Sequence, residues 1–374
     1  MPVKRAFPRF ERRNIMAYSG LLGWYDTHRR SFAFRGIKDP YAVWVSEIML
    51  QQTRTETAEG YFIRFMERFP TVKALADAPE QEVLKYWEGL GYYTRARNLH
   101  KAAKLVRDEY NGVFPKGYEA VRALPGIGDY TAAAVCSIAY GYPKAAVDGN
   151  LRRVLCRAEN IREDMDRPEA MRRLQEMADD LIDRDRPGDW NQALMDIGAT
   201  ICLPGTPECA LCPLAPHCRA KDQSPEALPV HSKLKSPVSV PVGVGLVFCG
   251  DTVLLCKRKE KLLQNLWVFA LCEGDNTPEA VQKTIEKMGL RVRYTGEAGE
   301  ARHVFTHRVW QMKLCCFEAE ETIKKPDRVF VTAEGLEALP MPTAMRAARN
   351  VCLSIMQDQQ REQRQDSEKA EIEG

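Results

Sequence analysis

The sequence predicts a two-domain chain: a mainly α domain over residues 1–220, then an α+β domain over residues 239–357. Three observations carry this. The 374 residues exceed what one ordinary core fills. Apolar residues recur at helical spacing as far as about residue 200 and then give way to strand-like runs. Between the two textures lies a stretch rich in Pro, Ser and charge, residues 221–238, which reads as a linker. The closing stretch, 358–374, is polar and lacks aromatics, and is expected to be disordered.

The elements follow in order. "YAVWVSEIMLQQT" sets Val43, Ile48 and Leu50 beside Trp44, with Glu47 among apolar neighbours. "TRARNLHKAAKLVRDEY" repeats Leu99, Ala102, Ala103 and Val106 on one helical face. "GYEAVRAL" is a short helix ending at a Pro-Gly turn. "DYTAAAVCSIAYG" is a helix for which Asp129 is the expected N-cap, with Gly141 at its end. "RPEAMRRLQEMADDLI" and "DWNQALMDIGATIC" are further helices. Past the linker, "SVPVGVGLVF-CGD-TVLLCKRK" signals a β-hairpin. "TPEAVQKTIEKMGL" is an amphipathic helix, "ARHVFTHRVWQMKLCCFEAE" is strand-like, and "MPTAMRAARNVCLSIMQ" is a closing helix.

Composition removes several function classes. No apolar run approaches the ~18 residues of a membrane span. The start, "MPVKRAFPRFERRN", has no apolar stretch of the kind a secretory signal needs. Twelve cysteines without such a signal point to a reducing, cytoplasmic setting and to metal rather than disulfides. A net charge of +3 is not the broad basic footprint of many DNA binders, so any nucleic-acid grip must be local.

Local features of that kind are present. In "LPGIGDYTAAAV", Leu124 to Val135, two glycines bare the backbone just before a helix. Its N–H groups, at the positive end of that helix, suit a phosphate, with Leu124, Gly126 and Gly128 as the contact residues. Four cysteines are spaced C-x6-C-x2-C-x5-C, at Cys202, Cys209, Cys212 and Cys218, and can surround a zinc or an iron–sulfur cluster. His217 sits beside them as a bystander. Glu47 lies in an apolar run that would raise its pKa, and Asp148 stands in "AAVDGNLRRVL". A neutral acid paired with an anion suits cleavage of an N-glycosidic bond, which needs a protonated leaving base and a stabilised positive sugar.

The string L-P-G-I-G-x-x-T-A followed by Asp148 resembles the helix–hairpin–helix DNA glycosylases. The resemblance implies two helical subdomains flanking a DNA cleft into which a base is flipped. The cysteine spacing looks like the loop of endonuclease III and its relatives, which implies one [4Fe–4S] cluster. "DPYAVWVSEIMLQQTR" is similar to the signature of the MutY-type adenine DNA glycosylases. That similarity implies that Glu47 protonates adenine at N-7 and helps activate water. It implies that Asp148 stabilises the oxocarbenium-like sugar, with Asn150 orienting the site. In bifunctional relatives the position of Tyr130 is a lysine that forms a Schiff base. A tyrosine there implies base removal without strand cleavage, its hydroxyl bonding the aspartate or the sugar. Tyr92 in "WEGLGYYTRARNLH" matches the family's wedge into the base stack, Gln52 would probe the gap, and Arg35 matches an arginine near the adenine pocket. The "AFRG" around Arg35 departs from the family's "PWR", which leaves the pocket wall open.

Residues 240–356 look like a Nudix-type domain whose metal-binding box has decayed. In "QKTIEKMGL", Gln282 replaces the arginine, Lys283 and Lys287 replace glutamates, and only Glu286 remains. A Nudix-like fold behind such a glycosylase resembles the family's lesion-recognition domain. There the loop reading 8-oxoguanine would be Phe305, Thr306 and His307, with threonine keeping the hydroxyl.

The resemblance therefore implies a monomeric enzyme acting on double-stranded DNA with adenine opposite 8-oxoguanine or guanine, with repair factors as possible partners of the tail and no membrane partner. A thymine or uracil mismatch glycosylase is the rival within the class, and a non-catalytic iron–sulfur DNA-binding protein the rival outside it. A nucleotide pyrophosphatase fails on Gln282, Lys283 and Lys287.

Overall fold

A computed structural model describes residues 18–232 and 236–373. Parts of the expected first domain, the linker (233–235) and the tail (374) thus lie outside the described residues. By density of internal contacts the chain forms two units. Residues 1–78 and 97–234 make the first, and residues 79–96 and 235–374 the second. The sequence gives no sign that 79–96 groups with the later half.

Among the described residues the helices up to residue 200 are α1 (Leu21–His28), α2 (Pro40–Leu50), α3 (Thr55–Arg68), α4 (Val72–Asp77), α5 (Glu80–Tyr86), α6 (Thr94–Glu109), α7 (Tyr118–Arg122), α8 (Asp129–Tyr140), α9 (Gly149–Ala158), α10 (Pro168–Leu181) and α11 (Pro187–Thr200). Their ends obey local chemistry. Asp39 caps α2 by accepting from the Tyr41 and Ala42 N–H groups, with Pro40 in the first turn. Gly141 closes α8 in the left-handed region at φ 68°. Asp148 caps α9, its carboxylate accepting the Leu151 N–H at 2.6 Å.

In the first unit, α9, α10 and α11 share a core built around Leu151, Leu155, Leu174, Trp190 and Leu194. Burying each such leucine contributes ~1.5–3 kcal/mol. Helix α2 is buried on nearly every side from Tyr41 to Met49, and Glu47 goes with it. Helix α11 touches two neighbours through glycines. A Cβ on Gly188 would lie 2.8 Å from the Ile138 Cα of α8, and one on Gly198 would lie 2.6 Å from the Asn150 Cβ of α9. These are close approaches that a side chain would not permit.

In the second unit the strands are β1 (Val238–Cys249), β2 (Thr252–Lys257), β3 (Trp267–Val268), β4 (Ala270–Glu273), β5 (Val292–Val304), β6 (Arg308–Ala319) and β7 (Arg328–Val331). The helices are α12 (Pro278–Glu286), α13 (Ala333–Ala338) and α14 (Arg346–Glu373). The sheet runs β3-β2-β1-β6-β5, with β4 also on β1 and β7 on β2. Strands β1 and β6 pair in parallel, and the other pairs are antiparallel. The architecture is thus mainly α followed by α+β, and no described helix is long and apolar enough to cross a membrane.

One sequence expectation is filled in here and one changes. The strand-like "ARHVFTHRVWQMKLCCFEAE" comprises the end of β5, the expected loop as a turn at 305–307, and β6, closed where the Phe305 N–H donates to the Arg308 carbonyl at 2.8 Å. The stretch expected to be disordered after residue 357 continues α14 as far as Glu373. Its Gln, Glu, Arg and Lys residues are good helix formers, and neither Gly nor Pro interrupts them.

The segment 79–96 is tied into the second unit by side chains. Trp267 Nε1 donates to Gln81 Oε1 at 2.9 Å, and Arg349 Nη1 meets Glu88 Oε1 at 2.9 Å. The Tyr93 hydroxyl donates to the Met341 carbonyl at 3.3 Å.

Candidate active site

Four elements of the first unit converge on one pocket. Helix α2 brings Glu47, the start of α8 brings Tyr130, the cap of α9 brings Asp148, and the loop before α2 brings Arg35. They line a cavity of about 150 Å3 together with Asn150, Arg30, Gln192 and Met195. Glu47 is 6% exposed. Its carboxylate accepts the Tyr130 hydroxyl at 2.6 Å. The sequence reading gave that hydroxyl to the aspartate or to a sugar. It goes to the glutamate because α2 and α8 pack directly on one another.

Burial raises the Glu47 carboxyl above the ordinary glutamate range, and the negative charge of Asp148 adds to the rise. The Tyr130 hydroxyl and the Arg35 guanidinium oppose it. Burial likewise raises Asp148, against N–H donation from Leu151 and Asn150 and the charge of Arg153. The two acids therefore differ in support. Asp148 has a helix N-terminus and two further donors for an anion, whereas Glu47 lies deeper and receives one phenol. This favours Glu47 as the proton carrier. Burial, then the Glu47 charge, pushes the Tyr130 phenol well up, so it stays a neutral donor.

Asn150 bonds both ways. Its Nδ2 donates to Asp148 Oδ2 at 3.2 Å, and its Oδ1 accepts from Arg153 Nη2 at 2.8 Å. Arg153 also donates from Nε to the Cys202 carbonyl at 2.8 Å. Arg35 donates from Nη1 to Gln192 Oε1 and from Nη2 to Asp196 Oδ1 at 2.7 Å, while its buried Nε has no partner among the described residues. Asp196 and Gln192 escaped the sequence reading. The available signal was their i,i+4 spacing in "WNQALMDIG", an acid inside an apolar helix like Glu47 itself.

The hairpin turn between α7 and α8 has the form its glycines suggest. Gly126 adopts φ 78°, and a Cβ there would fall 2.5 Å from Asn98 Cβ. Gly128 has open space above it and is the true N-cap, with no side chain bonding the helix end. Asp129 is the first helical residue instead, its carboxylate engaged by Arg122 and by the Tyr118 hydroxyl. Leu124 is buried, so its side chain is not open to a ligand.

Gln52 and Tyr92 are both exposed and both held at positive φ, 56° and 45°, a strained backbone for residues with side chains. In the second unit Thr306 bonds the Tyr92 hydroxyl at 3.1 Å. Phe305 packs edge-on against Trp310 at 4.9 Å, and His307 is exposed. The pocket thus gathers Glu47, Tyr130, Asp148, Asn150 and Arg35, and the 305–307 turn meets Tyr92 within its own unit.

The four cysteines follow α11. Cys202 is buried, and Cys209, Cys212 and Cys218 are partly so. Burial pushes the Cys212 thiol up to about 11, and the charges of Cys202, Cys218 and Cys209 add to it, which places the four near each other. Backbone N–H groups of Leu214 and of Ala220 and Lys221 point at Cys212 and Cys218. The buried Arg157 donates to the Leu203 carbonyl at 2.8 Å, the Gly205 carbonyl at 3.1 Å and Cys202 Sγ at 3.4 Å. Among the described residues no three His, Cys, Asp or Glu side chains are gathered tightly enough for one metal ion. Four thiols with a buried arginine and backbone N–H groups beside them are a donor set that an iron–sulfur cluster would fit.

A buried carboxyl pair and a bared hairpin turn thus stand together in the first unit. The model of the HhH-GPD superfamily base excision DNA repair proteins matches residues 45–179, and that of the NUDIX domain matches residues 243–350. The chain thus carries an HhH-GPD superfamily domain and, after it, a NUDIX domain. It is 42% identical over 219 residues to the adenine DNA glycosylase of Homo sapiens, covering 56% of this chain and 40% of that protein. It is 34% identical over 350 residues to the adenine DNA glycosylase of Arabidopsis thaliana, covering 77% of this chain and 55% of that one. Among solved structures, a thermostable thymine-DNA glycosylase is 30% identical with a TM-score of 0.51, covering 56% of this chain and 97% of that chain. The chain spans about half the length of the curated relatives it matches.

Proposed function

We propose that this protein is an adenine DNA glycosylase that hydrolyses the N-glycosidic bond of adenine mispaired with 8-oxoguanine, or with guanine, and leaves the strand intact. The observation that carries this is the Tyr130–Glu47 hydrogen bond of 2.6 Å beside Asp148: a held acid, an adjacent anion and no amine on α8. The similarity to curated adenine DNA glycosylases supports the base, and the NUDIX-type domain with its Thr306 turn supports a reader of the opposite base.

In this mechanism the duplex sits on the 124–128 turn, whose amides take a phosphate, while Tyr92 and Gln52 enter the stack and the adenine is flipped into the pocket. Glu47, whose hold on a proton burial strengthens, gives that proton to the base as the bond to the sugar breaks. Asp148, held by Leu151 N–H and Asn150, carries the negative charge facing the oxocarbenium-like sugar. Glu47, now anionic, takes a proton from the attacking water. Tyr130 has no amine with which to form an imine, so no strand break follows. Cys202, Cys209, Cys212 and Cys218 would hold one [4Fe–4S] cluster, which supplies iron–thiolate bonds that cross-link this loop.

The test is a duplex with adenine opposite 8-oxoguanine, resolved with and without hot alkali. Breaks at the adenine only after alkali are the expected result. Breaks without alkali would remove the monofunctional reading. The similarity to a thymine-DNA glycosylase makes a thymine–guanine duplex the control, and release of thymine alone would replace the adenine reading.

A further inference from the structure

Asp196 sits on α11 with its side chain 1% exposed and no part in the proton transfers above. A buried carboxylate is costly unless it is paired and hydrogen-bonded. Here it is paired twice. Oδ1 meets Arg30 Nε at 2.9 Å and Arg35 Nη2 at 2.7 Å, and Oδ2 accepts the Arg30 backbone N–H at 3.3 Å. Both arginines line the pocket that holds Glu47, and with Tyr130 and Asp148 they are the charged and titratable side chains lining it around that acid. Gln192, one turn before Asp196, takes the other Nη of Arg35 and is itself anchored to the Gly188 carbonyl at 3.2 Å.

We propose that Asp196 is a positioning residue of this pocket: on one carboxylate it fixes Arg35 and Arg30, and it offsets the positive charge that Glu47 would otherwise face. Two guanidiniums against one carboxylate leave a surplus of positive charge on the wall. Arg35 already opposes the rise of the Glu47 carboxyl, and its Nη2 is bound to Asp196 Oδ1, so that carboxylate offsets part of the charge Arg35 presents. Removing Asp196 would strengthen the positive field and draw the proton off Glu47 at lower pH. Removing Arg30 would leave Asp196 wholly to Arg35 and do the reverse. A role confined to packing predicts no such opposition of sign.

The inference needs no substrate for its first test and rests on the glycosylase reading only for its second. The Glu47 carboxyl is titrated by carbon-13 NMR in the DNA-free full chain of the native protein, Asp196→Asn and Arg30→Gln. The midpoint is expected to move down in Asp196→Asn and up in Arg30→Gln. Midpoints that stay put, or move the same way in both, overturn the proposal. Should Asp196→Asn fail to fold, Arg30→Gln decides alone, since its side chain is 23% exposed and an unmoved midpoint there is fatal. The second test is the alkaline limb of single-turnover adenine release, where each unit of displacement reads as about a tenfold change in rate. NMR shifts of opposite sign without any adenine release by the native protein would leave Asp196 in its role and remove the glycosylase reading.

Discussion

Helices α2 and α12 each carry a glutamate where the chain's two ancestral-looking motifs place one, and the two have met different ends. On α2, Glu47 lies at 6% exposure with a phenol on its carboxylate. On α12, Glu286 is exposed and accepts from its helical neighbour Gln282 Nε2 at 2.9 Å, while Lys283 and, just past the helix, Lys287 face solvent. The buried face of α12, Val281 and Ile285, still packs on the sheet. A fold needs its inward face, and chemistry needs desolvated polar groups aimed at one point. The first can persist without the second.

The largest break in this comparison is Glu47→Gln. Loss of the transferable proton is expected to cut single-turnover release by about 10²–10⁴-fold while duplex binding holds. The same change relieves a buried carboxyl. A carboxyl whose folded pKa is raised stabilises the fold below the ordinary glutamate range and loses that contribution as pH rises through the raised value. Glu47→Gln is therefore expected to melt higher than the native protein at neutral pH, and an unchanged melting temperature would contradict the burial argument.

Removing iron by chelation is expected to loosen residues 202–218. Full iron retention in a Cys202→Ser, Cys212→Ser double variant would contradict their role as ligands. The check is iron analysis together with hydrogen exchange of the loop.

Tyr130→Phe removes one hydrogen bond, a loss of about 0.5–1.5 kcal/mol and so at most roughly tenfold in rate. Because that hydroxyl lowers the Glu47 pKa, its loss should move the alkaline limb of the rate profile to higher pH. Tyr130→Lys should go further in kind and leave a borohydride-trappable adduct with the sugar. The smallest effect is on α12. Lys283→Glu with Lys287→Glu should alter stability by no more than about 0.5 kcal/mol, since both residues are exposed. Restoring the two carboxylates would show whether the vestigial box is one step or many from binding a metal.

Much of this could be read from the chain. Glu47 announced itself as an acid inside an apolar run, and the glycine turn by its spacing before a helix. What could not be read is pairwise geometry. Nothing local tells that the Tyr130 hydroxyl prefers Glu47 over Asp148, because the choice is made by the crossing of α2 and α8. The ion pairs of Asp196 span more than 160 residues of sequence. The strands either side of 305–307 were legible, and the turn between them was marked by its resemblance to a family loop and not by any break in alternation. The tail went the other way, its polarity outweighing its helix-forming residues.

Gly188 and Gly198 bear on how natural variants of such a protein should be weighed. Each replacement by alanine adds a single methyl group and no charge, the sort of change a substitution score treats as mild. Yet those methyls would wedge α11 away from the two helices that start at Asp129 and just after Asp148. Either change is therefore expected to destabilise the first unit, so that two of its smallest residues weigh as heavily as the acids in the pocket.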